Sequence, residues 1–449
     1  MNTISTYFET TSLFINRVVY YSLFSAAALF IISYFFPPVF TIAVLLIVCT
    51  IIALLTDVVL LYSKKKGIKA KRIIENRLSN GDENKVRINL HNSYGFDIKC
   101  TVIDELPFQF QERNWNKKAN LSRDSSTVIE YLLRPLERGE YHFGTINIYV
   151  YSPLGFVTRR YVFDEERTVH VYPSYQQMRK YQLLATAHRL QDAGVKRIRQ
   201  LGHSLEFEQI KEYVRGDDYR TINWKATARR GDLMVNNFTD ERSQEIYCVI
   251  NKGRIMKMPF EGLSLLDYAI NASLVVSNVA LMRQDKAGLI TFAENLDTFL
   301  PADKRPGQLN LILENLYKQT THYLEQDFEK LFSVIRNRIT QRSLVVLFTN
   351  FESLETLQRD LPALKRIAHY HLLLVVFFEN TELKRLLETR VKTTEDIYIK
   401  TIAEKYKHEK RLMEKELHKN GILAVLTTPQ QLTINVINKY LELKNKQSI

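Results

Sequence analysis

The sequence predicts a multidomain protein in three parts: a two-helix transmembrane hairpin, an immunoglobulin-sized β-sandwich, and a doubly wound α/β domain. Three observations carry this. Two long apolar runs lie near the start of the 449-residue chain, apolar and polar residues then alternate over residues 75–174, and beyond Arg242 continuous apolar runs alternate with helical patterns. A composition of 45% hydrophobic and 25% charged residues excludes a disordered chain and suffices for several folded units. The net charge of +13 suits an anionic membrane surface or nucleic acid alike.

Between Arg17 and Lys64 the only charged residue is Asp57, and "YYSLFSAAALFIISYFF" and "VFTIAVLLIVCTIIALL" are parted by Pro37 and Pro38. Each half is long enough for a bilayer core, and the prolines turn the chain back, giving spans at about 18–36 and 39–62 within an anchor of residues 1–66. A cleaved signal peptide would have one shorter run. Lys64, Lys65, Lys66, Lys69, Lys71 and Arg72 follow the second span while the turn is uncharged, which places the body and both termini on the cytoplasmic side of the membrane. Arg17 and Asp57 fall at equal depth, so they either pair or each snorkel to the headgroups.

Residues 67–175 carry period-two strands: Val86, Ile88 and Leu90; Phe96, Ile98, Cys100 and Val102; Ile146, Ile148 and Val150. Further strands are expected in "STVIEYLLRP", "GFVTRRYVF" and "TVHVYP", which gives a β-sandwich of immunoglobulin-like size with no catalytic grouping. A connector, 176–242, contains the basic, helical "HRLQDAGVKRIRQLGH". Without interleaved aromatics it suits a solvated linker near a membrane better than a nucleic-acid arm. Cys49, Cys100 and Cys248 have no metal or redox spacing.

From residue 243 to 449 the strands "EIYCVI", "AGLITFA", "SLVVLFT", "HLLLVVFF" and "ILAVLTT" alternate with helical segments, so a parallel sheet covered on both faces is expected. Its ligand site belongs at the carboxyl ends of the strands, in the loops "NKGRIMK" and "TNFES". Enzyme signatures are missing. There is no G-x-x-x-x-G-K-[ST] loop, "GHSLE" lacks the second glycine of a nucleophile elbow, leaving His203 and Ser204 as loop residues, and "HEKRL" lacks a second histidine.

The stretch "YVRGDDYRTINWKATARR" gathers acids, bases and a tryptophan. "FEQIKEYV" is expected to form a short helix stopped by Gly216, and Asp217 or Asp218 to cap a second one running to Gly231, with Arg220 stacked on Trp224. These charges either lock the β-domain to the α/β domain, with Trp224 as buried anchor, or form a partner-docking surface. A general acid and base pair is the third reading, and no nucleophile or cofactor site accompanies it.

The whole of "LEFEQIKEYVRGDDYRTINWKATARRGDL", with an α/β domain behind it and a β-domain and two-helix anchor ahead, resembles the family catalogued as domain of unknown function fifty-eight. The resemblance implies a von Willebrand factor A-like fold for the C-terminal half. It also implies a signature at Glu206, Arg215, Asp217, Asp218, Arg220, Trp224, Lys225 and Arg229. The partners it implies are a MoxR-type AAA+ ATPase and other von Willebrand A-domain proteins, beside membrane lipid and without nucleic acid. The implied role is a non-enzymatic adaptor in envelope protein assembly or stress tolerance, and the alternative is a metal-dependent ligand receptor or hydrolase. Domains of that fold often bind Mg²⁺ through an Asp-x-Ser-x-Ser loop, a threonine and a later aspartate, all oxygen ligands. Here the corresponding positions are Asn251, Gly253, Ile255, Thr320 or Thr321, and Asn350. Without a carboxylate among them, no metal or other cofactor is expected, and Lys252 and Arg254 in the same loop offer fixed positive charge.

Overall fold

The computed structural model describes residues 12–179, 206–214, 217, 219–239, 243–321, 323–380 and 393–446. The basic connector "HRLQDAGVKRIRQLGH", His203, Ser204, Arg215 and Asp218 lie outside the described residues. The chain divides into two compact units, residues 1–171 and 172–449.

The first element among the described residues is a strand that no sequence pattern announces, β1 (Leu13–Ile15), followed by the apolar helices α1 (Arg17–Ser33) and α2 (Pro38–Tyr62). At 25 residues α2 is long and apolar enough to cross a membrane, whereas α1, at 17 residues, is about 26 Å long and relies on the turn before Pro38 to complete its reach. Buried positions recur every seven residues: Val19 and Ala26 on one helix, Ala43, Thr50 and Asp57 on the other. Mostly small, these side chains let the helices approach closely. The opposite face of α1 exposes Phe24 at 79% and Ile31 at 71%, apolar surface of the kind that marks a membrane or protein contact.

Ten strands follow: β2 (Ile68–Ile73), β3 (Arg77–Ser79), β4 (Asn84–Asn92), β5 (Ile98–Asp104), β6 (Lys117–Leu121), β7 (Ser126–Leu133), β8 (Gly139–Phe143), β9 (Ile146–Tyr151), β10 (Val157–Phe163) and β11 (Arg167–Tyr172). They form three sheets, ordered β1-β10-β9-β5-β6, β2-β4-β7 and β3-β11-β8. Period two holds. Val86, Ile88 and Leu90 from β4 meet Cys100 and Val102 from β5 and Ile148 and Val150 from β9 in one core.

The helices are joined to this core at both ends. β1 pairs antiparallel with β10, Leu13 opposite Arg159 and Ile15 opposite Val157. At the end of α2, Arg159 Nη1 donates to the carbonyls of Leu61 (2.5 Å) and Lys64 (2.9 Å), and Nη2 to that of Lys65 (3.3 Å). Its guanidinium lies over the rings of Tyr62 and Tyr161. An arginine thus satisfies carbonyls that a helix C-terminus leaves open. Asp57 neither pairs with Arg17 nor reaches the headgroups, as the sequence had allowed. It is fully buried and accepts from Ser152 Oγ (2.5 Å), Phe156 N (3.0 Å) and Leu154 N (3.3 Å) of the β9–β10 turn.

Arg72 also departs from its expected place in the basic collar. Lys64, Lys65, Lys66, Lys69 and Lys71 are exposed, but Arg72 is buried against Asp104 and donates to the carbonyls of Glu165 (2.8 Å) and Gly144 (2.9 Å). The alternation of β2 turns this one basic residue inward. Tyr131 donates to the same carboxylate, and the charge at Asp104 raises the Tyr131 hydroxyl further above its ordinary range, beyond the effect of burial.

The second unit contains β12 (Glu206–Glu212), α3 (Trp224–Arg230), β13 (Met234–Thr239), β14 (Glu245–Asn251), β15 (Pro259–Phe260), β16 (Leu263–Ser264), α4 (Leu265–Met282), β17 (Lys286–Phe292), β18 (Leu296–Asp303), α5 (Gln308–Tyr317), α6 (Phe328–Arg338), β19 (Leu344–Phe348), α7 (Leu354–Tyr370), β20 (Leu372–Phe378), α8 (Thr394–Lys419), β21 (Leu423–Thr427) and α9 (Leu432–Asn445). Its six-stranded sheet has the order β18-β17-β14-β19-β20-β21, parallel except for the antiparallel edge strand β18. Successive residues of β14 face opposite sides: Ile246, Cys248 and Ile250 meet α4, α5 and α9, while Tyr247 and Val249 meet α6, α7 and α8. α4 is apolar enough for a membrane span, yet 78% of its apolar window is buried, so the sheet takes the place of lipid. A capping box between Ser264 and Asp267 starts it.

Arg72→Ala leaves the Asp104 carboxylate buried without its cation, which costs about 3–5 kcal/mol. Thermal or denaturant unfolding of the detergent-solubilised chain checks this, and an unchanged midpoint would disprove the internal role of the pair.

Candidate functional site

The strand order reverses between β14 and β19, and the expected ion-binding positions do gather at their carboxyl ends. Asn251 is buried, and both halves of its amide are engaged: Nδ2 donates to Thr349 Oγ1 (2.9 Å) and Oδ1 accepts from Gly253 N (2.7 Å). A Cβ at Gly253 would stand 2.9 Å from that Oδ1, so the tight turn needs glycine. Thr321 Oγ1 donates to the Lys252 carbonyl (2.6 Å) and accepts from Tyr323 N (3.0 Å). Ile255 lies in a 3₁₀ turn, Arg254–Met256, and brings no ligand atom.

Two ammonium groups come to this edge. Lys252, 6% exposed, donates to Asp297 Oδ2 (2.7 Å) and to the Thr320 carbonyl (2.9 Å). Partial burial pushes the Asp297 carboxyl up, but Lys252 and the hydroxyls of Thr291 and Thr298 outweigh it and hold the group below the usual range. Lys410, from the middle of α8, donates to Asn350 Oδ1 (2.7 Å) and the Phe351 carbonyl (2.5 Å). The two oxygens that a cation would need, on Asn251 and Asn350, are therefore already taken by a backbone amide and a lysine. The donor set does not fit a divalent ion: it lacks a carboxylate ligand and already contains two positive charges. Among the described residues no three His, Cys, Asp or Glu side chains are grouped as metal ligands.

Beyond the ends of β19 and β20 opens a cavity of about 710 Å³, walled by Phe260, Leu265, Phe378, Ile402 and Tyr406, with Lys410 among its lining residues. Burial in this largely apolar wall pushes the Lys410 ammonium down to about 8, against a smaller opposing effect of Glu352. Sequence reasoning missed Lys410 and Asp297, since neither lies in the loops that announce the site.

The "YVRGDDYRTINWKATARR" stretch is not two helices. "FEQIK" belongs to β12, which pairs antiparallel with β13, and the charged stretch is the excursion between them. Lys211 Nζ donates to Asp217 Oδ1 and Val214 N to Asp217 Oδ2, both at 2.9 Å. The Val214 amide first, and Lys211 with it, hold the Asp217 carboxyl below its ordinary value. Asn223, rather than either aspartate, caps α3, accepting from Ala226 N at 3.0 Å, and Gly231 ends it in the left-handed region. Arg220 lies over the Tyr219 ring at 5.7 Å rather than over Trp224. Lys225 and Arg229 are exposed on α3. Trp224 is no buried anchor: as the first residue of α3 it is 70% exposed, beside Tyr219 at 68% and Val214 at 64%. The strand role of Glu206–Glu212 turns the segment into a two-stranded ribbon, which has no interior to hold an indole.

Two results are expected at the carboxyl edge. Adding Mg²⁺ or Mn²⁺ leaves the thermal midpoint of the purified chain unchanged, and a saturable rise would show that other ligands rebuild the site. In the unfolded chain the Lys410 amine keeps its proton up to about 10.5, whereas the folded chain releases it near 8. Between those values the unfolded state binds the extra proton, so stability rises with pH across that window, by on the order of 3 kcal/mol. Melts recorded from pH 7 to 10 should lose that rise in Lys410→Met.

Uncharacterized protein YeaD of Bacillus subtilis (strain 168) is 25% identical over 214 residues, covering 44% of this chain. The match spans 51% of that relative's length. Among solved structures, BatB from Bacteroides thetaiotaomicron aligns at 15% identity and a TM-score of 0.30, over 46% of this chain and all of its own. The CARDB domain of PF1109 from Pyrococcus furiosus aligns at 14% identity and a TM-score of 0.16, over 23% of this chain and 94% of its own. Residues 209–401, from β12 into α8, match the family model described as "Protein of unknown function DUF58", so the resemblance drawn from the charged stretch holds over that span.

Proposed function

We propose that the chain is a membrane-anchored, cytoplasm-facing adaptor without enzymatic activity. In this reading its first unit is an immunoglobulin-like domain on a two-pass inner-membrane hairpin with both termini cytoplasmic, and its second a von Willebrand A-like domain. It serves a MoxR-type AAA+ ATPase in envelope protein assembly or stress tolerance. The observation that carries the adaptor reading is the exposure of two aromatic residues, Tyr219 and Trp224, on a ribbon in which Lys211 pairs with Asp217 and Arg230 with Glu212. An exposed tryptophan on a short helix that also exposes Lys225, Arg229 and Arg230 has the composition of an interface anchor. The hairpin reading is supported by β1 and Lys64, which flank the two helices and both meet β10 or the Arg159 guanidinium, so they lie on one side of any bilayer the helices cross.

Trp224→Ala is expected to shift stability by less than about 0.5 kcal/mol, as exposed substitutions do, yet to lose the partner. Affinity capture of the tagged chain from native membranes, with mass-spectrometric identification, should recover an AAA+ ATPase for wild type and not for Trp224→Ala. Recovery of the ATPase undiminished by the substitution would reject this surface, and its absence from both would reject the adaptor role.

A further inference from the structure

The turn between β9 and β10, Ser152–Phe156, is bonded as though water were unavailable to it. Every N–H from Ser152 to Val157 has an acceptor: Ser152 N meets the Val157 carbonyl (3.0 Å), Gly155 N the Ser152 carbonyl (3.2 Å), Leu154 N and Phe156 N the Asp57 carboxylate, and Val157 N the Ser152 hydroxyl (3.1 Å). Residue 153 is proline and has none to satisfy. Asn16, which immediately precedes α1, donates from its side chain to the Gly155 carbonyl and from its backbone to the Phe156 carbonyl, each at 2.9 Å. Irregular backbone with its donors fully engaged is what a water-poor layer requires, and an ordinary exposed loop would leave several to solvent.

The helices give the depth of that layer. From Pro38 to Asp57, α2 rises about 29 Å, close to the roughly 30 Å hydrocarbon thickness of a bilayer. Apolar exposed surface continues past Asp57, with Val59 at 67%. The turn therefore sits at the edge of the hydrocarbon, not above it, and it exposes Pro153 and Leu154, the latter at 54%. The exposed Lys64, Lys65 and Lys66, seven to nine residues beyond Asp57, fall at the depth of the headgroup phosphates.

We propose that the Ser152–Phe156 turn is a membrane-inserting wedge, with Pro153 and Leu154 in the acyl–glycerol boundary of the bilayer. Asp57 is its internal counterpart, supplying acceptors that lipid cannot. The inference rests on the reading that α1 and α2 cross the bilayer, and its test separates the two. The full chain, with Leu154, Leu45 or Glu130 replaced singly by the photoreactive p-benzoyl-phenylalanine, is reconstituted in nanodiscs of phosphatidylcholine and phosphatidylglycerol, irradiated and weighed by mass spectrometry. Lipid adducts are expected at 45, in mid-span, and at 154, with none at 130 on β7. An adduct at 45 without one at 154 overturns the wedge and leaves the spanning helices intact. Loss of both overturns the spanning reading and the wedge with it. Adducts at all three positions would mean that β7 also lies on lipid and that the turn is not a specific contact.

Discussion

A single buried carboxylate, Asp57, organises the junction on which the first unit depends. Near the end of an otherwise apolar helix it accepts three hydrogen bonds from one turn of the β-domain, and one helical turn later Arg159 closes the carbonyls of Leu61, Lys64 and Lys65. Neither group would be tolerated alone. An unpaired carboxylate at that depth is expensive, and a buried guanidinium needs acceptors in several directions. Together they convert what would be a flexible tether into a fixed joint, because α2 ends inside the β-domain's own hydrogen-bond network.

In the second unit the constraint is electrostatic. The carboxyl edge of a parallel sheet is where such folds gather a ligand, and here two lysine ammonium groups brace it. Lys252 ties the first loop to Asp297 on the antiparallel edge strand, and Lys410 ties the second loop to α8. The edge is thereby held together by charges that are part of the chain. Burial lowers the Lys410 ammonium toward neutrality, so the cross-brace is held at a cost in charge desolvation that falls as the solution becomes more alkaline.

Much of this was legible in the letters, for reasons that differ by element. The β4 alternation of Val86, Ile88 and Leu90, and the uninterrupted apolar strands β14, β17, β19 and β20, announce themselves because burial on one face or two leaves a direct pattern. β1 was missed because three residues carry no measurable period, and β18 because its "LDTFLPAD" includes a proline that argues against a central strand and is permitted at an edge. "FEQIKEYV" fits a helix, because Phe207, Ile210 and Val214 fall at i, i+3 and i+7, but its pairing with β13 overrides that spacing. Of the site, Asn251 and Asn350 followed from the loops after β14 and β19. Lys410 did not, for it lies sixty positions from Asn350, on a helix with many other lysines.

The pairing of β1 with β10 joins residues 13–15 to 157–159, a separation that in a free chain would make it among the last contacts to form. The two apolar helices between β1 and β2 change that arithmetic. Once they have packed side by side, the start of the chain is delivered to the end of α2, and closing the remaining loop costs far less entropy than its length implies. The hairpin thus works as a non-covalent cross-link that holds the first strand close to the position where β10 receives it.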